Sequence, residues 1–324
     1  MESIITLRKS IDARLAQLNL KAQPKNLYEP IGYLLALGGK RFRPLLVLLT
    51  AQLRGARNPQ ALDPALAVEV FHNFTLMHDD IMDVAPLRRG QPTVHEKWNQ
   101  NTAILSGDAM FVKAYQLITK MDSSYLLLAL DRFNETALQV CEGQQLDMDF
   151  EQLVNVSQAD YLEMIRLKTA VLLGFSMELG GLIGGFDHQD QQRLYAVGEN
   201  LGLGFQLMDD LLDVYGDQQK VGKQVGGDII ANKKTFLMIS ALDLAGTDAR
   251  SQLNGWISMR DADPMEKVAG VKNIFDGLGI PQLVKIKMDA YFDEAFRLLK
   301  TISCDKEGLD IFNNFAKSLI KREG

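Results

Sequence analysis

The sequence predicts an all-α protein: a single domain over residues 1–324, a bundle of long helices around a central cavity. Three observations predict it. Apolar residues recur with the helical period along almost the whole chain. Alternating strand patterns, and Asn-Gly turns between β-branched runs, are missing. Two pentads of identical acidic pattern, Asp79-Asp80-Ile81-Met82-Asp83 and Asp209-Asp210-Leu211-Leu212-Asp213, close long apolar stretches where a core would avoid carboxylates.

Residues 3–20 place Ile4, Ile5, Leu7, Ile11, Leu15 and Leu18 near one face, as an amphipathic helix requires. Residues 64–84, 101–120, 124–149, 159–182, 190–216, 233–244 and 281–302 read as long helices by the same period. Breaks are expected at Gly38-Gly39, Asn58-Pro59, Asp63-Pro64, Pro86 to Pro92, Gly184 to Asp187 and Gly216 to Gly227. The last is the longest polar, Gly-rich segment and carries Lys223. Long loops of this kind are often binding loops. No linker, low-complexity tail or shift of composition divides the chain.

Composition narrows the function. An apolar content of 47% supports a large core, and a net charge of −6 without a basic stripe argues against nucleic-acid binding. Cys141 and Cys304 lack CxxC partners and read as reduced, buried thiols. The charged amino terminus carries no signal-peptide pattern. No run of about 18 uncharged apolar residues predicts a transmembrane segment. A soluble, cytoplasmic protein is expected.

The pentads carry the chemistry. On a helix their first and fifth positions lie one turn apart on one face, so each aims at least two carboxylates at one point. A lone DDxxD is most simply a solvated helix end, but two copies embedded in apolar sequence argue against that. Mg²⁺ suits such a site, because it takes few carboxylates and leaves room for substrate phosphates. Basic groups surround the pentads in sequence: Lys40, Arg41 and Arg43; Arg88 and Arg89; Lys168; Lys223; Lys233 and Lys234. That much dispersed positive charge suits diphosphates, with Arg offering a planar fork and Lys a point charge. His72 shares a face with Asp79 and Asp83, within roughly 40° on a helical wheel. Gln206 sits one turn deeper than Asp209 and Asp210. Gln144, Asp147, Lys168 and Thr169 are polar groups in otherwise apolar helices. A cavity ionic at its mouth and apolar below suits a diphosphate head on a hydrocarbon tail.

The ordered motifs resemble the trans-isoprenyl diphosphate synthases, also called polyprenyl synthetases, over essentially the whole chain. They are GGKxxRP at Gly38–Pro44, HxxxxxHDDxxD ending at Asp83, LRRG at Leu87–Gly90, GQxxD at Gly143–Asp147, Lys168-Thr169, FQxxDDxxD at Phe205–Asp213, and GK with GGDxxxNK from Lys223 to Lys233. The resemblance implies the isoprenoid synthase fold and a Mg²⁺-dependent head-to-tail prenyltransferase. Its substrates would be isopentenyl diphosphate and an allylic diphosphate (dimethylallyl, geranyl or farnesyl), with catalysis by ionisation, condensation and proton elimination. Lys40, Arg43, His72 and Arg89 match the family's isopentenyl diphosphate contacts. Arg88, Lys168, Thr169, Gln206, Lys223 and Lys233 match its allylic-diphosphate contacts, and Lys168, Thr169 and Gln206 would also steady the cation. Asp79, Asp83 and Asp209 match the Mg²⁺ ligands, with Asp80, Asp210 and Asp213 in support. The family also implies a homodimer, for which residues 101–120 and 124–140 are the candidate interface. One departure is Leu237, where the family often has proline.

A class I terpene cyclase shares DDxxD and the helical fold, but it typically lacks a second DDxxD and needs no second diphosphate site. A noncatalytic subunit tends to lose carboxylates from one pentad, and here both are intact. A di-iron bundle needs two Glu-x-x-His pairs, and this sequence has only one, Glu69 to His72. In the family, product length is set on the helix before the first pentad. Small Thr75 above bulky Phe71 and Phe74 implies a short chain, C20 favoured and C15 possible.

Overall fold

A computed structural model describes residues 3–18, 23–55, 59–216, 226–259 and 261–321, and these are overwhelmingly helical. They fall into two compact units, residues 1–134, 175–192 and 303–312 in one and 135–174, 193–302 and 313–324 in the other.

The first unit opens with α1 (Ile4–Ala16), started by the Ser3 side chain accepting the Thr6 N–H and buried along Leu7, Ile11 and Leu15. Helices α2 (Lys25–Ala36) and α3 (Phe42–Ala51) follow. Then come α4 (Leu62–Met82), α5 (Val94–Lys97), α6 (Gln100–Ile118) and the long α7 (Ser123–Gln152). Helix α4 is the spine, buried almost all round from Pro64 to Phe71 and packed chiefly on α6 and α3. A helix apolar on every side belongs in a core. The break expected at Asp63-Pro64 does not occur: both residues lie in the first turn of α4, where proline's missing N–H costs nothing. Between α4 and α5, two-residue strands at Leu87–Arg88 and Gln91–Pro92 pair as a small hairpin.

The second unit takes α8 (Gln158–Ile165), started by a Ser157/Asp160 capping box. It runs through a π-helical turn, Arg166–Ala170, into α9 (Val171–Ile183). Helix α10 (His188–Tyr215) precedes α11 (Gly227–Ile230), α12 (Phe236–Leu244), α13 (Thr247–Ser258), α14 (Pro264–Gly277), α15 (Ile280–Leu299) and α16 (Lys306–Lys321). Helices α7, α9, α10 and α16 contribute residues to both units. Helix α12 starts at Phe236, not 233, because the Thr235 side chain caps it by accepting the Met238 N–H at 3.4 Å. Leu237, in the place of the expected proline, is therefore accommodated by a side-chain cap.

One smaller expectation is corrected. Cys141 is exposed and Cys304 half-buried, because each falls off the buried stripe of its segment. Glu178, in apolar α9, is buried but not orphaned, since Arg132 Nε lies 3.0 Å from both of its oxygens. Among the described residues no helix is long and apolar enough to cross a membrane.

Candidate active site

In the first unit the site is built on the end of α4. The helix closes with the Ala85 N–H on the Asp80 carbonyl at 2.9 Å and the Val84 N–H on the Ile81 carbonyl at 3.2 Å. This is the Schellman pattern, whose left-handed residue is usually glycine. Here it is Val84, at φ 49°, a strained choice for a β-branched residue. The reversal sends the chain into the hairpin and returns Arg88 to the helix. Its Nε donates to both Asp80 oxygens at 2.9 and 2.7 Å, and its Nη2 lies 2.7 Å from Oδ1. Arg88 Nη2 also lies 4.0 Å from Asp79 Oδ2. Asp80 is thus buried and neutralised, whereas Asp79 is partly exposed and Asp83, at the helix C-cap, is exposed. The support expected of Asp80 takes the form of a fork from Arg88.

The GGKxxRP segment sits against this hairpin. Arg89, itself at positive φ, donates through Nη1 to the Gly38 carbonyl. Gly39 has φ 148°, a conformation that favours glycine, and a Cβ there would press on the Arg89 guanidinium at 3.1 Å. Arg43 Nη1 lies 3.0 Å from His72 Nε2. Burial, then the charges of Arg43, Arg88, Arg89 and Arg41, hold the His72 pKa well below its ordinary value. The imidazole is therefore neutral, and its Nε2 accepts from Arg43. Lys40 is exposed beside this group.

Arg41 counts in the sequence among the basic groups that suit diphosphates, but its role is architectural. It is buried at φ 51°, with Nη1 on Glu69 at 2.7 Å, Nε on Asp12 at 3.0 Å and Nη2 on the Leu35 carbonyl at 2.9 Å. The signal was there to find: Glu69 is a lone acid in an apolar helix, and it needed a cation.

In the second unit, Lys168 and Thr169 lie on the π-helical turn. Such turns often mark functional positions. Gly143 of GQxxD makes room for it, since a Cβ there would collide with the Lys168 backbone nitrogen. Lys168 Nζ reaches Asp147 Oδ2 at 2.6 Å, and Lys233 Nζ stands 4.0 Å from the same oxygen. Two expected phosphate-binding lysines thus share one carboxylate. The Gln144 amide nitrogen is buried without a protein partner among the described residues. Thr169 Oγ1 donates to Gln206 Oε1 at 3.3 Å, and Gln206 Nε2 donates to Asp210 Oδ1 at 3.3 Å. Asp210 is buried, and burial, against the hydrogen bonds it accepts, pushes its pKa up to about 7. Asp209 is exposed beside it. Asp213 is employed otherwise, accepting the Asp228 N–H at 3.0 Å at the start of α11. Lys223 lies outside the described residues.

The donor chemistry fits Mg²⁺. The exposed or half-exposed ligand candidates are carboxylate oxygens, hard donors without thiolate or imidazole among them. Among the described residues, no three or more His, Cys, Asp or Glu side chains form a closed cage.

The chain-length candidates form an aromatic block in the first unit. Phe71 is fully buried, its ring 5.5 Å from Phe74, 5.8 Å from Phe111 and 5.2 Å from Phe133. Phe74 stacks on Phe111 at 5.0 Å. Phe111 was not singled out from the sequence, because it lies on a different helix, α6. Thr75 satisfies its hydroxyl on the His72 carbonyl at 2.8 Å.

The comparisons with known proteins agree with this geometry. The polyprenyl synthetase family model matches residues 24–275. A geranylgeranyl diphosphate synthase of Methanosarcina mazei is 40% identical over 235 residues, 72% of each chain. A geranylfarnesyl diphosphate synthase of Natronomonas pharaonis is 33% identical over 99% of this chain and 98% of its own. The crystal structure of a geranylgeranyl pyrophosphate synthase covers 100% of both chains with a TM-score of 0.94 and 42% identity. With the family model matched over residues 24–275 and a relative 40% identical over 72% of each chain, the chain belongs to the polyprenyl synthetase family.

Proposed function

We propose that this protein is a Mg²⁺-dependent trans-prenyltransferase that condenses isopentenyl diphosphate with an allylic diphosphate to a short-chain product. The observation that carries this reading is the group of three guanidiniums, Arg43, Arg88 and Arg89, around one buried neutral imidazole beside the carboxylates of α4. Such a group is built to take a multiply charged anion. Arg43, Arg89, Lys40 and neutral His72 bind the isopentenyl diphosphate, and Arg88 adds the charge that faces the allylic diphosphate. Lys168 and Lys233, sharing Asp147, bind the allylic diphosphate, and Lys223 completes that set. Asp79, Asp83 and Asp209 would hold Mg²⁺, which would supply the charge stabilisation that lets the diphosphate depart. Thr169 and Gln206 present oxygen dipoles to the allylic carbon as it becomes electron-poor. The isopentenyl double bond then attacks it, and loss of a proton restores a trans alkene. The experiment is diphosphate release with each allylic primer, with and without isopentenyl diphosphate. Release that requires both substrates supports the reading. Release without isopentenyl diphosphate points to a cyclase, and no release to an inert subunit.

The favoured product is C20, with Phe71 and Phe74 as the floor below Thr75. The stacking of Phe74 on Phe111 supports this, since it makes a wall of two rings. The expected outcome of Phe74→Ala is a longer product distribution with turnover retained, read by mass spectrometry. Phe71→Ala also lengthens the product, and as a core truncation it costs about 3–5 kcal/mol of stability. Unchanged product in both variants would place the floor elsewhere.

The protein acts as a homodimer, as one domain over residues 1–324, and in the cytoplasm. The matched family segment, residues 24–275, draws on both compact units and supports the single domain. On α6 and the first part of α7, Leu105, Val112, Leu127 and Leu128 are exposed apolar side chains. Leu105 and Val112 are seven residues apart and so share a face. Light scattering at micromolar concentration is expected to give twice the chain mass, and Leu105→Glu with Val112→Glu to give the monomer.

A further inference from the structure

One buried residue of the second unit belongs to no motif and yet bears on the reacting groups. Tyr161 of α8 is almost completely buried, seven residues before Lys168, and its ring packs 6.3 Å from Phe236. Its hydroxyl donates to Asp210 Oδ2. Asp210 accepts a second hydrogen bond, from the Gln206 amide, whose oxygen in turn accepts from Thr169. The four side chains form one chain of bonds: Thr169 to Gln206 to Asp210, with Tyr161 closing the far end.

The direction of each bond follows from the chemistry of its partners. Both Asp210 oxygens are engaged as acceptors, Oδ2 taking the Tyr161 phenol O–H and Oδ1 the Gln206 NH₂. The reversed amide would set a carbonyl oxygen against a carboxylate. With the NH₂ committed to Asp210, the Gln206 oxygen faces Thr169, and the Thr169 hydroxyl must donate its hydrogen to it. What Thr169 then retains for a ligand is oxygen lone pairs, the polarity an electron-poor carbon needs. The second carboxylates of the two pentads are therefore served differently. Asp80 is forked by Arg88, whereas Asp210 is held by a phenol and transmits an orientation.

We propose that Tyr161 is a positioning residue for the prenyl transfer, fixing Asp210 and through it the orientation of the Gln206 amide and the Thr169 hydroxyl. This rests on the function proposed above.

The test is Tyr161→Phe, which removes the hydroxyl and keeps the ring, together with the Gln206→Leu and double variants. Because the lost bond fixes groups that act at the reacting carbon, kcat is expected to fall about tenfold or more, with KM for both diphosphates unchanged. In the Gln206→Leu background the same change is expected to have no further effect on kcat, because residues acting through one another are not additive. The Gln206 side-chain amide resonances are expected to shift in Tyr161→Phe, a readout independent of turnover. Equal losses in both backgrounds, a rise in KM at constant kcat, or unmoved Gln206 resonances would overturn the proposal. A wild-type protein that releases no diphosphate would instead overturn the functional reading, and the resonances would still decide the orientation.

Discussion

Asp79→Ala is expected to lower turnover by on the order of 10²–10³-fold while leaving α4 folded. The separation of the two effects comes from the local geometry. In the first pentad it is Asp80, not Asp79, that is buried and forked by Arg88, so it is Asp80 that ties the hairpin to the helix. Asp79 is partly exposed and stands 4.0 Å from the edge of the same guanidinium. Truncating it removes the proposed Mg²⁺ ligand and little packing. Asp209→Ala is expected to behave alike, since Asp209 is exposed while its neighbour Asp210 carries the buried bonds. The measurement is kcat at saturating Mg²⁺ beside a thermal unfolding curve. Near-normal turnover with a lowered midpoint would assign Asp79 to helix capping, and activity in excess chelator would remove the metal from the mechanism.

The largest loss of stability is expected at Arg41. Arg41→Ala leaves the Glu69 carboxylate buried among the apolar residues of α4 with its 2.7 Å partner gone. It also removes the bonds to Asp12 and the Leu35 carbonyl. Breaking a buried ion pair from one side costs about 3–5 kcal/mol, chiefly for the charge left behind. Urea unfolding is expected to show that loss as a lower midpoint at unchanged slope. Arg41→Met combined with Glu69→Gln is expected to recover part of it, because no uncompensated charge then remains. A loss below about 1 kcal/mol for Arg41→Ala, the level of an exposed pair, would contradict the burial seen here.

Helices with a broad apolar stripe were readable from period alone: α4, α6, α7, α10 and α15 all occur within a few residues of their expected bounds. Helices α2, α13, α14 and α16 were not singled out. Pro30 interrupts the first, and the others are short or polar enough that only neighbours make their narrow stripes worthwhile. The π-helical turn at Lys168-Thr169 was invisible too, because one extra residue per turn leaves no mark on composition. What creates room for it is Gly143, on another helix.

The candidate site divides in the same way. Sequence by itself determined the all-α class, the family, and the residue types of the two acidic pentads and the basic segments around them, because carboxylates and arginines in apolar surroundings are costly and persist only for a chemical reason. Tertiary structure alone decided what each of those residues does. Within one pentad, Asp80 and Asp79 differ only in which faces an arginine fork and which faces outward. Within one motif, Arg41 is a buried strut while Arg43 meets His72. Tyr161, outside every motif, closes the network around Asp210. The reason is physical: period and spacing set which face of a helix a side chain shares, but its partner comes from a distant part of the chain.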